Sequence, residues 1–318
     1  NCRWVSNQTS IRGGMKEINE KRVAYLYEAV SAGTVRAAAD KLNVAPSAVS
    51  RQISLLEDEL ATTLIERNRK GVKPTEAGLL MLKYYREARS HEEECISKLH
   101  ALRGLQRGHV DLAVGEGFVG DLMASPVPEF NRCYPALTIS VQMAGTNEVI
   151  RQVQEDEAHI GLLFHPPSHP DIRTQAVSVQ PICAIVPPGH PLLLLGRPVT
   201  FAETAEYPVA LQESHFGVRQ LLAMAEFKER LRLTPVVTSN SIAVLKHFVR
   251  SELGITYLPA FVVSREIEDG HLCAVPIEHS ILESGEAHII TRLGRQLSEG
   301  PHRLLQHLTA WLRGFSSS

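Results

Sequence analysis

From Lys21 to Leu60 apolar side chains recur at helical spacing. Val23, Leu26 and Val30 lie three and four positions apart, which predicts one buried face of a first helix. Thr34 stands where it can cap a second helix carrying Val35, Ala38, Ala39 and Leu42. After a break at Asn43-Val44, Pro46 suits the first turn of a third helix, where its missing N–H is not needed. Val49, Ile53, Leu56 and Leu60 then repeat at intervals of 4, 3 and 4. Three short helices, the last two joined by a tight turn, predict a helix-turn-helix. In Glu66–Pro74 four cations, Arg67, Arg69, Lys70 and Lys73, surround Gly71, and this stretch predicts a two-stranded wing. Thr75 then caps a long helix. Along it Met81, Tyr85, Ala88, Cys95, Leu99 and Leu102 form a heptad seam broken at Glu92, predicting a helix paired with its own copy in a dimer. The alternative is an amphipathic helix lying on its own domain.

Beyond a linker at Gly104–His109 the pattern changes. Short apolar runs at Val110–Val114, Leu137–Met143, Ile160–Phe164, Ile182–Val186, Val209–Leu211, Val236–Thr238, Ile255–Leu258 and Leu272–Val275 alternate with helical patterns such as Thr146–Glu155, Val218–Leu231 and Ser241–Arg250. Strand–helix alternation predicts an α/β domain with a parallel-rich sheet. Its size favours two lobes, with crossings near Ser178–Pro181 and Ile281–Glu286. The expected division is residues 15–74 for the winged helix-turn-helix, 75–106 for a linker and dimerisation helix, and 107–318 for the α/β domain. Lobe I is expected over about 107–179 and 283–318, and lobe II over about 180–282. Residues 1–14, which end in Gly13-Gly14 before Met15, read as a disordered or extraneous extension.

Charge adds one clue. Residues 1–75 hold 12 Lys and Arg against 8 Asp and Glu, so a +4 segment precedes a −6 remainder in a chain of net −2. A basic end on an acidic body suits contact with a polyanion. No run reaches the roughly 18 apolar residues that span a bilayer, and the start has no secretory pattern, so a cytoplasmic protein without membrane contact is expected. The five cysteines, Cys2, Cys95, Cys133, Cys183 and Cys273, form neither a C-x-x-C pair nor a metal spacing with the histidines, and read as reduced thiols. No metal or cofactor is expected.

The order of residues in "AVSAGTVRAAADKLNVAPSAVSRQISLLEDEL" and "LIERNRKGVKPTEAG", within Val30–Gly78, resembles the LysR-type transcriptional regulators. "IVPPGHPL" at Ile185–Leu192 and "SNSIAVLKHFVRSELGITYLP" at Ser239–Pro259 are similar to that family's sensor domain, so the resemblance covers nearly the whole chain from Met15. It implies a DNA-binding transcriptional regulator with a two-lobed, periplasmic-binding-protein-like effector domain, assembled as a homodimer or a homotetramer of two dimer types. Its partners would be double-stranded promoter DNA and a small-molecule effector. A recognition helix enters the major groove with its N-terminal side chains at base edges, here Ser47, Ala48, Ser50, Arg51 and Gln52. Thr34 and Arg36 open the second helix, whose N–H groups favour a phosphate, and Arg67, Arg69 and Lys70 fall where a wing follows the backbone. Two positions depart from the family pattern. Ile65 replaces a usual aromatic, and Ala61 stands where Gly usually follows the third helix. A left-handed cap would strain Ala by roughly 1 kcal/mol, so a different helix end is expected.

The resemblance also implies an effector cleft between the lobes, at strand ends and helix starts. The candidates there are Glu116, Gly117 and Phe118 after the first strand, Thr146 and Asn147 after the second, Phe164 and His165 after the third, Ser214 and His215, and Asn240 and Ser241. Thr146 can cap its helix, and free N–H groups at that helix start and the one after Ser241 suit a carboxylate. Glu116 would face a cation, and the aromatic wall would add a cation–π surface. This set predicts a carboxylate or zwitterionic metabolite, such as an amino acid or a quaternary-ammonium acid. Two other classes compete. Fourteen histidines invite an enzyme, yet G-x-S-x-G, H-E-x-x-H and GxGxxG are absent in context. A regulator without a ligand is disfavoured by the two-lobed α/β module.

Overall fold

The computed structural model describes residues 18–68, 71–102 and 108–315. The chain divides into two compact units, Asn1–His91 and Glu92–Ser318. Among the described residues no helix is long and apolar enough to cross a membrane.

The first unit runs α1 (Glu20–Ser31), α2 (Val35–Leu42), α3 (Pro46–Leu60), β1 (Ile65–Asn68), β2 (Gly71–Pro74) and the start of α4 (Glu76–Leu102). Leu26, Ala38, Ala39, Val49, Ile53 and Leu56 are fully buried in one core. Thr34 caps α2 by accepting from the Ala37 N–H. Asn43 ends α2 in the left-handed conformation, and the Val44 N–H reaches back to the Ala39 carbonyl at 3.0 Å, which makes the turn into α3 tight. The wing docks on the preceding turn: the Val72 N–H bonds the Gly33 carbonyl at 2.8 Å. Gly71 has φ +125°, and a Cβ there would lie 2.2 Å from the Gly33 oxygen, so the site accepts only glycine. From α3 the Glu57 carboxylate accepts the Leu64 and Ile65 N–H groups and fixes where β1 begins.

Two expectations change here. Ala61 does take the left-handed cap, at φ 51° and ψ 38°, with its N–H bonded to the Asp58 and Glu57 carbonyls. The hydrogen bonds of the helix end hold the alanine in a conformation that costs about 1 kcal/mol. The heptad seam is also divided. Met81 and Tyr85 pack against the core of their own unit, while Cys95 and Leu99 are exposed.

The second unit contains two five-stranded sheets. The strands of lobe I are β3 (Gly108–Val114), β4 (Leu137–Met143), β5 (Ile160–Phe164), β6 (Ile172–Val179) and β12 (Glu286–Arg292), in the order β4-β3-β5-β12-β6. Those of lobe II are β7 (Ile182–Val186), β8 (Val209–Gln212), β9 (Pro235–Ser239), β10 (Ile255–Pro259) and β11 (Cys273–Pro276), in the order β11-β7-β10-β8-β9. Helices α5 (Glu116–Ala124), α6 (Pro126–Cys133), α7 (Thr146–Gln154) and α10 (Glu299–Trp311) belong to lobe I, and α8 (Gly217–Glu229) and α9 (Ile242–Arg250) to lobe II. Each sheet is packed on both faces. In lobe I, Val110, Leu112 and Val114 of β3 face Phe118, Phe130 and Leu304, and Ala113 faces Val149 and Val153 of α7. The sheets are mixed rather than parallel-rich: β12 runs antiparallel to β5 and β6, and β7 antiparallel to β10 and β11. Strands β6 and β12 were not expected from the pattern. β6 is exposed or half-buried at every position along an edge, without a buried apolar run.

The chain passes twice between the lobes, and the two passages are bonded to each other, Gln180 N–H to the Gly285 carbonyl at 2.7 Å. The part of α4 in this unit is anchored through Glu93. Its carboxylate meets His159 Nε2 at 2.9 Å, Arg295 at 3.3 Å and the Ser298 hydroxyl at 3.1 Å. Burial alone would raise the Glu93 carboxyl, but the hydrogen bond and charge of His159, the charge of Arg295 and the Ser298 hydroxyl hold it down at about 2.

Candidate functional site

On α3 the buried residues Val49, Ile53 and Leu56 leave the opposite face free. Ser47 and Arg51 are exposed on that face, and Ala48, Ser50 and Gln52 are half-buried beside them. Ser54, three positions beyond Arg51, is exposed on the same stripe, and the sequence reading overlooked it. Thr34 and Arg36 are exposed at the start of α2. The Arg67 side chain and residues Arg69 and Lys70 lie outside the described residues.

The second unit holds an apolar cleft between its lobes. It opens at the carboxyl ends of β3, β5, β8 and β10, the side on which open α/β sheets bind ligands. Lobe I contributes the Gly115–Phe118 turn, Ala144, Thr146, Leu163 and Phe164. Lobe II contributes Gln212, the Phe216–Val218 turn, Ile242 and Leu258, followed by Phe261 and Val262. Helices α5, α7 and α8 all begin at this cleft, and none has a side-chain cap. Their first N–H groups carry the positive end of the helix dipole.

Of the candidates read from the sequence, Glu116, Gly117, Phe118, Thr146 and Phe164 come together in the cleft. Asn147, Ser214, His215 and Asn240 are exposed and are not among its lining residues. The His215 ring instead covers the backbone at Gly145, where a Cβ would sit 3.0 Å from it. His165 leaves β5 at φ 47°, its Nδ1 buried without a hydrogen-bond partner, and burial pushes its imidazole down from the ordinary value.

Thr146 and Glu116 differ from expectation. Gly145 is the cap residue of α7, and Thr146 is its buried first residue, so its hydroxyl is not the cap. Glu116 neither faces water nor awaits a cation. Its carboxylate crosses to the start of α9, where it accepts from the Ile242 N–H at 2.7 Å, the Ala243 N–H at 3.3 Å and the Ser241 hydroxyl at 3.0 Å. The donors expected to hold a ligand carboxylate at Ser241 are therefore taken, and the zwitterion expectation loses its cation partner. Gln212 was missed. Its side chain is 6% exposed at the end of β8, and its Oε1 is buried without a partner at the cleft. A polar residue closing an apolar strand was the available signal. Among the described residues no group of three or more His, Cys, Asp or Glu could hold a metal ion.

A winged helix-turn-helix carried in one chain with a two-lobed α/β unit around an apolar cleft defines a ligand-responsive DNA-binding regulator. The chain belongs to the LysR family: residues 21–79 match the bacterial regulatory helix-turn-helix protein of the lysR family, and residues 103–313 the LysR substrate binding domain. Family members are transcriptional regulators, not enzymes. The chain is 27% identical over 266 residues to the RuBisCO operon transcriptional regulator of Allochromatium vinosum, covering 82% of this chain and 85% of that protein. It is 26% identical over 287 residues to the HTH-type transcriptional activator CmpR of Synechocystis sp., covering 87% and 90%. Among solved structures, ArgP from Mycobacterium tuberculosis superimposes with a TM-score of 0.66 at 20% identity, over 95% of this chain and 100% of that one. Full-length OxyR from Pseudomonas aeruginosa gives 0.64 at 17% identity, over 93% and 98%. These two establish the fold.

Proposed function

We propose that the protein acts in the cytoplasm, reads a dyad-symmetric promoter site with α3, and changes its action when a small molecule enters the cleft. The observation that carries the DNA reading is the exposed stripe of Ser47, Arg51 and Ser54 opposite the buried stripe of α3. Small side chains let the helix approach base edges, and the guanidinium supplies donors for a base or phosphate. Arg36 and the cations of the wing would hold backbone phosphates, which set register without selecting sequence. Replacing Arg51 by Ala is expected to weaken binding to the specific site by about 1–3 kcal/mol at fixed salt. Fluorescence anisotropy with operator and scrambled duplexes measures it. Equal losses on both would make Arg51 a phosphate contact, and no loss would remove it from the interface.

Assembly as a dimer or tetramer is supported by apolar residues left on two faces of the second unit. Met143 on the edge strand β4 is 63% exposed, and Phe227 on α8 is 88% exposed. Faces of this kind are commonly covered by a partner. Light scattering of the intact chain checks it, and a monomer at high concentration would exclude it.

A further inference from the structure

The cleft has several helix starts and only one of them is filled, by a carboxylate of the same chain. We infer that Glu116 sets the charge of the effector: it occupies the α9 end of the cleft and restricts the ligand to a small acid with a single negative group. This rests on reading the cleft as the effector site. Three observations carry it. The α9 start has no vacancy for an anion, because both carboxylate oxygens of Glu116 accept from it. A ligand carboxylate placed there would also meet the Glu116 charge. The remaining anion-binding end lies at the starts of α7 and α8, where Thr146 and Gly217 line the cleft and no side chain caps either helix.

Gln212 makes this a recognition site rather than a pair of helix ends. Its buried Oε1 has no partner within the protein. A buried acceptor left unpaired is costly, so it calls for a donor from the ligand, a hydroxyl or an N–H. The rest of the wall is Phe118, Leu163, Phe164, Ile242 and Phe261, which suits a branched or aromatic body. The ligand class is therefore a compact hydroxy or amido monoacid with an apolar body, and a second carboxylate pointing toward α9 is refused.

Calorimetric titration of the full-length protein with 2-hydroxyisovalerate and with malate tests this. The two acids share a hydroxy-acid head and differ in the group at the far end. The wild-type protein is expected to prefer 2-hydroxyisovalerate by at least about tenfold. Glu116→Ala removes the occupant of the α9 start, and malate should then bind about tenfold more tightly than to wild type. Glu116→Gln removes the charge but keeps an acceptor oxygen at the α9 start, so its malate affinity should rise above wild type and stay below that of Glu116→Ala. Circular dichroism confirms that each variant is folded. If folded Glu116→Ala gains nothing for malate, or if wild type binds malate as well as 2-hydroxyisovalerate, the proposal is overturned. Failure of the effector reading itself looks different: operator binding by wild type would respond to no acid of either kind.

Discussion

The two lobes are built on one plan and differ at one end of the cleft. Counting the first three parallel strands in chain order, each sheet places its second strand at an edge, then the first, then the third, then one strand running the opposite way and, beyond it, a last strand running with the first three. In lobe I these are β4, β3, β5, β12 and β6, and in lobe II β9, β8, β10, β7 and β11. The helices after the first strands, α5 and α8, correspond, and so do those after the second strands, α7 and α9. Yet the α7 start presents uncapped N–H groups, whereas the α9 start is closed by Glu116, which is itself the first residue of α5. The same helix geometry is thus left for a ligand on one side and satisfied by the protein on the other. Fold alone does not say which helix ends of such a sensor are available, because one side chain at a neighbouring helix start decides it.

The comparison can be broken most severely at Gly217. A Cβ at this residue would lie 2.2 Å from the Phe164 carbonyl, a backbone atom of the other lobe. Gly217→Ala is expected to cost about 3 kcal/mol or to force the lobes apart, read as a lowered denaturation midpoint. An unchanged midpoint would mean that the lobes separate freely at this point. Next in size is the contrast between equivalent helix starts. Glu116→Ala should cost about 2 kcal/mol, because three donors lose a charged acceptor, while Thr146→Ala at the α7 start should cost under about 1 kcal/mol. Equal costs would erase the asymmetry. The smallest effect is a pH difference between two carboxylates held at about 2, Glu93 of α4, bonded to His159 and Arg295, and the half-buried Glu203 in lobe II, bonded by Arg197 and the Thr200 N–H. A carboxyl below its ordinary value of 4.5 stabilises the fold above that pH and loses its contribution as pH falls toward 2. Glu93→Gln should therefore flatten the stability profile between pH 4.5 and 2, with the smaller dependence on ionic strength because its partners His159 and Arg295 are buried. The change from Glu203→Gln should fade in high salt, since its Arg197 partner is exposed to solvent. Denaturation curves across that range, in low and high salt, separate the two.

How much of this could be read from the sequence depended on whether each feature is written in local pattern. The helix-turn-helix was legible because its buried stripe recurs at fixed spacing and its helix starts, the cap Thr34 and the first-turn Pro46, are chemically explicit. Most strands were legible because those packed on both faces form apolar runs, as Ile160–Phe164 does. β6 was not, since an edge strand with its side chains in solvent carries no such run. β12 was hidden for another reason: its partners β5 and β6 lie more than a hundred residues earlier, and pairing at that range leaves no local trace. In the cleft the sequence placed Glu116 after the first strand and Thr146 after the second, near where helices α5 and α7 begin. It could not show that the Glu116 carboxylate turns toward residues 241–243, because that contact spans about 125 positions. Ala61 shows the opposite limit. Its identity argued against a left-handed cap, and the surrounding hydrogen bonds imposed one anyway.

The position of β12 also bears on how the chain is made. It lies between β5 and β6, so β6 has no neighbour in its sheet until residues 286–292 have been synthesised. By then every strand of lobe II, from Ile182 to Pro276, has already been synthesised. The lobe begun first is therefore completed last, and during that interval β5 stands with one edge unpaired. That edge belongs to Ile160–Phe164, the kind of bare apolar strand that recruits other chains. A premature stop anywhere before Glu286 would make the exposure permanent, and such a fragment should be found in aggregates rather than as a free half-sensor.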